Sequence, residues 1–185
     1  MNMLPPAIAL FSALLKERGH KVDVFDATYY HTDYGIDSDG TKMDFLNVVP
    51  YDMDGRGIKL RNTDWRLDLA NQVERFQPDL IAISSTEDMW ELGVHILEEL
   101  RDYKVRNNIP VIAGGVFPTF APDIALSSEL VDMVCVGEGE NTIIDLCQCI
   151  QNSEPWDKVT NLWIKKDDGS IIKYPVTKPV DNNLL

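Results

Sequence analysis

Apolar positions along the chain form two alternating kinds of segment. Between Ala7 and Lys16 they recur at helical spacing, with Ala7, Leu10, Leu14 and Leu15 on one face. Pro5 and Pro6 suit the first turn of that helix, and Gly19 is placed to end it. Val22–Phe25 then reads as a short strand with Asp26 at its carboxyl end. Trp65, Leu69, Val73 and Phe76 mark a second helix, capped by Thr63 and stopped by Pro78. Leu80–Ile83, Pro110–Ala113 and Met133–Val136 are unbroken apolar runs, the pattern of parallel strands covered on both faces. Between and after them, helices are predicted from Met89 to Tyr103, from Asp123 to Ser127 and from Asn141 to Ile150. Asn161–Ile164 and Ser170–Tyr174 flank an Asp168-Gly169 turn and predict an antiparallel hairpin.

This order predicts an α/β fold: a Rossmann-like (flavodoxin-like) doubly wound parallel sheet with a C-terminal β-hairpin. Residues 1–155 read as the α/β domain, and 156–185 as the hairpin plus an extended connection. Residues 28–62 form an insertion, rich in turn residues but retaining Phe45, Leu46, Val48, Val49 and Tyr51. Arrays of this kind normally open on a strand. This chain opens at the loop before the first helix, so the first strand is expected to be missing, and Val180–Leu185 reads as the start of a connection to something else.

Composition narrows the function. Of 185 residues, 17 are Lys or Arg and 30 are Asp or Glu, a formal charge of -13, which argues against nucleic acid. No apolar run approaches the ~18 residues of a membrane span, and no secretory signal opens the chain. Cys135, Cys147 and Cys149 match no metal or cluster spacing and read as reduced thiols, which predicts a cytoplasmic protein. His20, His31 and His95 are dispersed, and Asp37–Gly40 lacks the ligands that would complete a calcium loop. No metal site and no catalytic set are predicted.

Ligands of open parallel sheets bind outside the carboxyl ends of the strands. Here those ends carry Ser84, Ser85 and Thr86, then Gly114 and Gly115, then Gly137, Glu138, Gly139 and Glu140. Small residues let a bulky ligand approach the backbone, and hydroxyls add hydrogen bonds without bulk. Two carboxylates beside the last loop disfavour a pyrophosphate, and the loop does not follow the dinucleotide fingerprint. They suit amide-bearing ligand groups or a neighbouring domain, and they also complement the dipole of the following helix. The residues point to a binding module.

On Pro5 and Pro6, Leu15–Val22, Pro78–Ser85, Val111–Thr119, Val134–Glu140 and the closing hairpin with its Pro-rich tail, the sequence resembles the cobalamin (vitamin B12)-binding domain at the N-terminus of cobalamin-dependent radical S-adenosylmethionine (SAM) enzymes. The resemblance implies a corrin on the strand ends, with its nucleotide tail beside the sheet near Ser84, Gly114 and Gly115. It extends the implied contacts to Val116, Pro118 and Thr119, and to Leu4 and Pro5 of the first loop. Thr86 stands where the family has Leu in a Ser-x-Leu element. Cobalamin mutases and methionine synthases carry Asp-x-His-x-x-Gly in the first loop, whose His ligates cobalt from below; Asn2–Pro6 has no His. The resemblance therefore implies cobalamin without a lower imidazole from that loop. It also implies a radical SAM domain C-terminal to this chain that holds the 4Fe-4S cluster and S-adenosylmethionine, since the cluster-binding Cys-x3-Cys-x2-Cys run is absent here. Methyl transfer or related radical chemistry would belong to the whole enzyme. Two other readings stay open: a cobalamin-free scaffold or substrate-recognition domain, and an unrelated receiver or flavin domain. The latter lacks a placed acidic pair and Lys partner.

Overall fold

The computed structural model describes residues 6–30, 52 and 54–177. Helix α1 spans Pro6–Glu17, and it ends where Gly19, at φ 84°, turns the chain so that His20 N–H reaches the Leu15 carbonyl at 3.1 Å. Helix α2 (Trp65–Phe76) is capped by Asp64, whose carboxylate accepts from Arg66 N–H at 2.9 Å. The expected cap Thr63 instead donates to Asp68 at 2.6 Å. Either residue type can cap; Asp64 stands at the residue whose side chain reaches the free amides of the first turn.

Among the described residues five strands form one sheet in the order β1 (Ile81–Ser84), β2 (Val111–Gly114), β3 (Met133–Cys135), β4 (Leu162–Lys165) and β5 (Ile171–Lys173). The first three pair in parallel, with Ser84 beside Gly114 and Ala113 beside Val134. The hairpin extends the same sheet antiparallel, Cys135 opposite Leu162 and Ile164 opposite Ile172. Its turn holds Gly169 at φ 80°.

Helices cover both faces of β2 and β3, as their unbroken apolar runs require; β1, expected to be covered likewise, lies at the edge of the sheet and leaves Ala82 and Ser84 exposed on one face. Ile112, Met133 and Cys135 point towards α1 and α7 (Glu140–Asn152), where they meet Leu15, Ile143 and Leu146. Val111, Ala113 and Val134 point the other way, onto Leu97 of α3 (Trp90–Glu99) and onto Ala125 and Leu126 of α6 (Pro122–Ser127). Both parallel crossovers therefore lie on one face, because each moves one strand in the same direction with the same hand. The helix expected over Met89–Tyr103 is broken. Trp90–Glu99 ends at Leu100, at φ -99° and ψ 1°, and α4 (Arg101–Asn107) follows. Leu100 is buried against Trp65, Leu69 and Val73, and the break keeps it there.

The strand expected at Val22–Phe25 does not form. Residues 20–27 have no regular structure, although Val22 packs on the α1–α7 core and Phe25 on the cluster around Trp65. A strand needs a hydrogen-bonding neighbour, and among the described residues none runs beside this stretch. β1 is accordingly an edge strand. The ends of the insertion are joined: Arg61 N–H donates to the Tyr29 carbonyl at 2.7 Å, and Arg61 Nη1 donates to the Tyr30 hydroxyl at 2.7 Å. That hydroxyl donates in turn to Asp68 at 2.9 Å. Residues 31–51 of the insertion, with the calcium-like Asp37–Gly40 run and His31, lie outside the described residues. Among the described residues no helix is long and apolar enough to cross a membrane, and no His, Cys, Asp or Glu group could hold a metal ion.

Leu146 is fully buried under β3. Leu146→Ala is expected to lower the unfolding free energy by about 2–5 kcal/mol, measured by urea denaturation followed by circular dichroism.

Candidate functional site

The carboxyl ends of β1 and β2 are stitched together by backbone. Ser85 N–H donates to the Gly114 carbonyl at 3.0 Å, and Phe117 N–H donates back to the Ser85 carbonyl at 3.1 Å. Between them Gly115 sits at φ 95°, and a Cβ there would lie 2.8 Å from Ser85 N and O and 2.9 Å from Ser84 Oγ. Gly115 is thus required by a close approach of two loops and not by a ligand-sized gap. Gly114 is the open member of the pair. A Cβ added there meets nothing closer than Cys135 Cβ at 3.9 Å, on the face covered by α1 and α7.

The serines divide in the same way. Ser85 is buried and its hydroxyl donates to the Thr86 carbonyl at 2.8 Å, shaping the turn, while Ser84 and Thr86 are exposed. After β2 the chain forms α5 (Val116–Phe120), a short helix that the sequence pattern does not predict. Pro118 points into the core, whereas Val116 is 59% and Phe120 85% exposed. With Ile124, 60% exposed on α6, they place apolar side chains at four-residue spacing beside the strand ends.

The loop after β3 is held from three sides. Gly137, at φ 98°, donates its N–H to Thr119 Oγ1 at 3.2 Å, which ties the loop to α5. Gly139 lies against α1, where a Cβ would come within 2.8 Å of Phe11 Cζ. The Glu138 carbonyl accepts from Asn161 Nδ2 at 2.8 Å and from the Cys135 thiol at 3.6 Å. Glu138 itself is exposed, while Glu140 opens α7 with its Oε2 buried and without a hydrogen-bond partner. Burial pushes the Cys135 thiol up to about 11, and the Glu140 carboxylate adds to that push.

The three predicted strand ends therefore converge. Leu4 and Pro5 lie outside the described residues. Asn161, Phe11 and the α5 ledge were not legible as site elements. A buried Asn at the start of a strand carries no periodic signal, and Phe11 is indistinguishable in sequence from its helical neighbours. A separate concavity of about 550 Å³ lies at the opposite, amino ends of the strands, lined by Asp79, Asn108, Pro110, Cys149 and Trp156 among others. Its walls are helix ends and strand entries and hold none of the strand-end residues. That groove has polar residues of its own, Asp79, Asn108 and Glu154 among them, but no glycine; the glycines Gly114, Gly115, Gly137 and Gly139 gather at the strand ends.

The B12 binding domain profile matches residues 46–146. The chain belongs to the B12 binding domain family. Over 170 residues this B12 binding domain is 25% identical to the cytidylyl-2-hydroxyethylphosphonate methyltransferase of Streptomyces wedmorensis, covering 90% of the chain and 28% of that protein. Its fold is shared with the radical S-adenosylmethionine methyltransferase TsrM from Kitasatospora setae, solved with cobalamin and a 4Fe-4S cluster bound (TM-score 0.67, 16% identity, 98% of this chain and 28% of that one). It is shared too with the cobalamin-dependent radical enzyme OxsB, solved with aqua-cobalamin and S-adenosylmethionine (TM-score 0.67, 17% identity, 97% of this chain and 20% of that one). The B12 binding domain described here thus spans 28% or less of the length of these larger proteins.

Gly115→Ala is expected to destabilise the domain clearly, since it meets backbone at a positive φ, whereas Gly114→Ala should leave the thermal midpoint within a few degrees of wild type; thermal melts of the two variants check this. The thiols give a second expectation. Burial raises Cys135 and Cys147 each to about 11 from 9.0. A raised thiol contributes nothing against folding below 9.0 and weakens the fold as pH climbs from there towards 11. Native protein at pH 8 should therefore leave both thiols unreactive to a disulfide reagent, with reaction appearing on unfolding.

Proposed function

We propose that this domain binds cobalamin across the carboxyl ends of β1, β2 and β3, as the accessory domain of a longer radical SAM enzyme. The observation that carries the reading is the Glu140 carboxylate oxygen, buried at the rim of the strand ends without a partner. A buried acceptor left unpaired is costly, and it is satisfied when a donor arrives with a ligand. Cobalamin is fringed with amide groups that supply such donors, whereas a pyrophosphate supplies none.

The remaining residues fit the same guest. Ser84 and Thr86 offer exposed hydroxyls, and Gly114 leaves room on the α1–α7 side for the nucleotide tail. Val116 and Phe120 give an apolar ledge of the kind that marks a binding surface. Gly115, Pro118, Thr119, Gly137 and Gly139 hold these groups in place from behind. In this reading Asn2–Pro6 brings no imidazole to the lower face of cobalt. Bound cobalamin supplies alkyl-carrier chemistry at cobalt. This chain's residues bind and orient it, and the cluster and S-adenosylmethionine belong to a domain following the 156–185 connection. The placement in a longer enzyme is supported by the small share of the matched methyltransferases that the chain spans.

Purified domain incubated with hydroxocobalamin and gel-filtered should retain a red chromophore at about one equivalent. Gly114→Leu, which fills the open side, should abolish retention while the fold survives by circular dichroism. Glu140→Leu should weaken binding by roughly tenfold, the loss of one charged hydrogen bond. A colourless wild-type protein at saturating ligand would favour the cobalamin-free scaffold.

A further inference from the structure

Asn161 is a buried polar residue, 3% exposed, and with Ser85 and Thr142 it is one of three such residues among those described. It stands just before β4 at φ 62°, a left-handed conformation that Asn and Gly tolerate best. Every hydrogen-bonding group it owns is in use. Its carbonyl accepts from Val136 N–H at 2.8 Å, and its own N–H donates to the Pro175 carbonyl at 3.0 Å. Its side-chain Nδ2 donates to the Glu138 carbonyl at 2.8 Å. Its Oδ1 accepts from Thr177 N–H at 2.7 Å and from Thr177 Oγ1 at 3.2 Å.

One amide side chain therefore bridges two segments that do not otherwise share a strand. One end holds the Gly137–Glu140 loop, and the other holds the segment by which the chain leaves the sheet after β5. The two run close together, since a Cβ at Gly137 would lie 3.6 Å from Val176 Cγ1. A fully satisfied buried polar network fixes one geometry, because any alternative leaves a donor or acceptor unpaired. Fixing the Glu138 carbonyl leaves the Glu138 side chain outside and sets the turn from which Glu140 enters α7.

We propose that Asn161 is the positioning residue of the strand-end site: its Nδ2 bond to the Glu138 carbonyl holds the Gly137–Glu140 loop in its ligand-ready shape, and its Oδ1 locks the exit segment to that loop. This rests on cobalamin occupying the strand ends. A loop ordered in advance spares the ligand the entropy of ordering it, so the effect belongs to affinity.

Two variants of the full chain separate the bonds. Asn161→Gly keeps the left-handed backbone and deletes both side-chain links. Asn161→Asp keeps an oxygen for Thr177 but sets a second oxygen against the Glu138 carbonyl, deleting only the loop bond. Hydroxocobalamin affinity, read from its absorbance on titration, should fall about tenfold in each, with far-UV circular dichroism at the wild-type value. Amide exchange should quicken at residues 137–141 in both, and at Thr177 in the Gly variant alone. Wild-type affinity in both folded variants, or loop exchange unchanged in Asn161→Asp, overturns the positioning role. Should Asn161→Gly not fold, Asn161→Asp alone decides. If wild-type protein binds no cobalamin, the functional reading fails, and the exchange pattern still decides whether Asn161 holds the loop and the exit together.

Discussion

The site depends on how closely two backbone turns can approach. The turn leaving β2 folds back over the end of β1 until a Cβ on Gly115 would lie 2.8 Å from both N and O of Ser85. Any side chain at Gly115 would push the turns apart. The hydrogen bonds of Ser85 to Gly114 and of Phe117 to Ser85 would be lost with the contact. Those bonds set where α5 begins, and α5 in turn supplies Thr119, which holds Gly137 in the loop after β3. A single missing Cβ is thus the first link in a chain of contacts joining three strand ends.

The second half of the arrangement comes from the far side of the sheet. Phe11 of α1 closes on Gly139, Asn161 grips the Glu138 carbonyl, and Cys135 shares that carbonyl. The acidic loop is consequently rigid from behind. Its two carboxylates differ in environment although they are two residues apart: Glu138 is exposed, and Glu140 has an oxygen buried without a partner. Beside this loop the α5–α6 ledge adds exposed apolar surface.

Much of this was legible beforehand. Unbroken apolar runs such as Val111–Ala113 mark strands buried on both faces, and the structure buries all three residues. Asp168 and Gly169 set the hairpin, and Gly19 the end of α1. Other features were not legible. Val22–Phe25 has strand composition but no partner along it, and composition cannot supply one. Gly114 and Gly115 are adjacent and identical in sequence, yet a Cβ on the first would meet only Cys135 at ordinary contact distance, and one on the second would collide with a neighbouring turn. Asn161 carried no signal because its four partners come from residues 136, 138, 175 and 177.

By itself the sequence determined the alternation of helices and strands, because side-chain periodicity and turn chemistry are local properties. It also determined the acidic, glycine-rich character of the strand ends, which is a matter of residue type. Only the tertiary structure decided which glycine is a contact and which an opening, which carboxylate is left unpaired, and which polar residue holds the loop. Those outcomes depend on distances between segments far apart in the chain, and packing alone sets such distances.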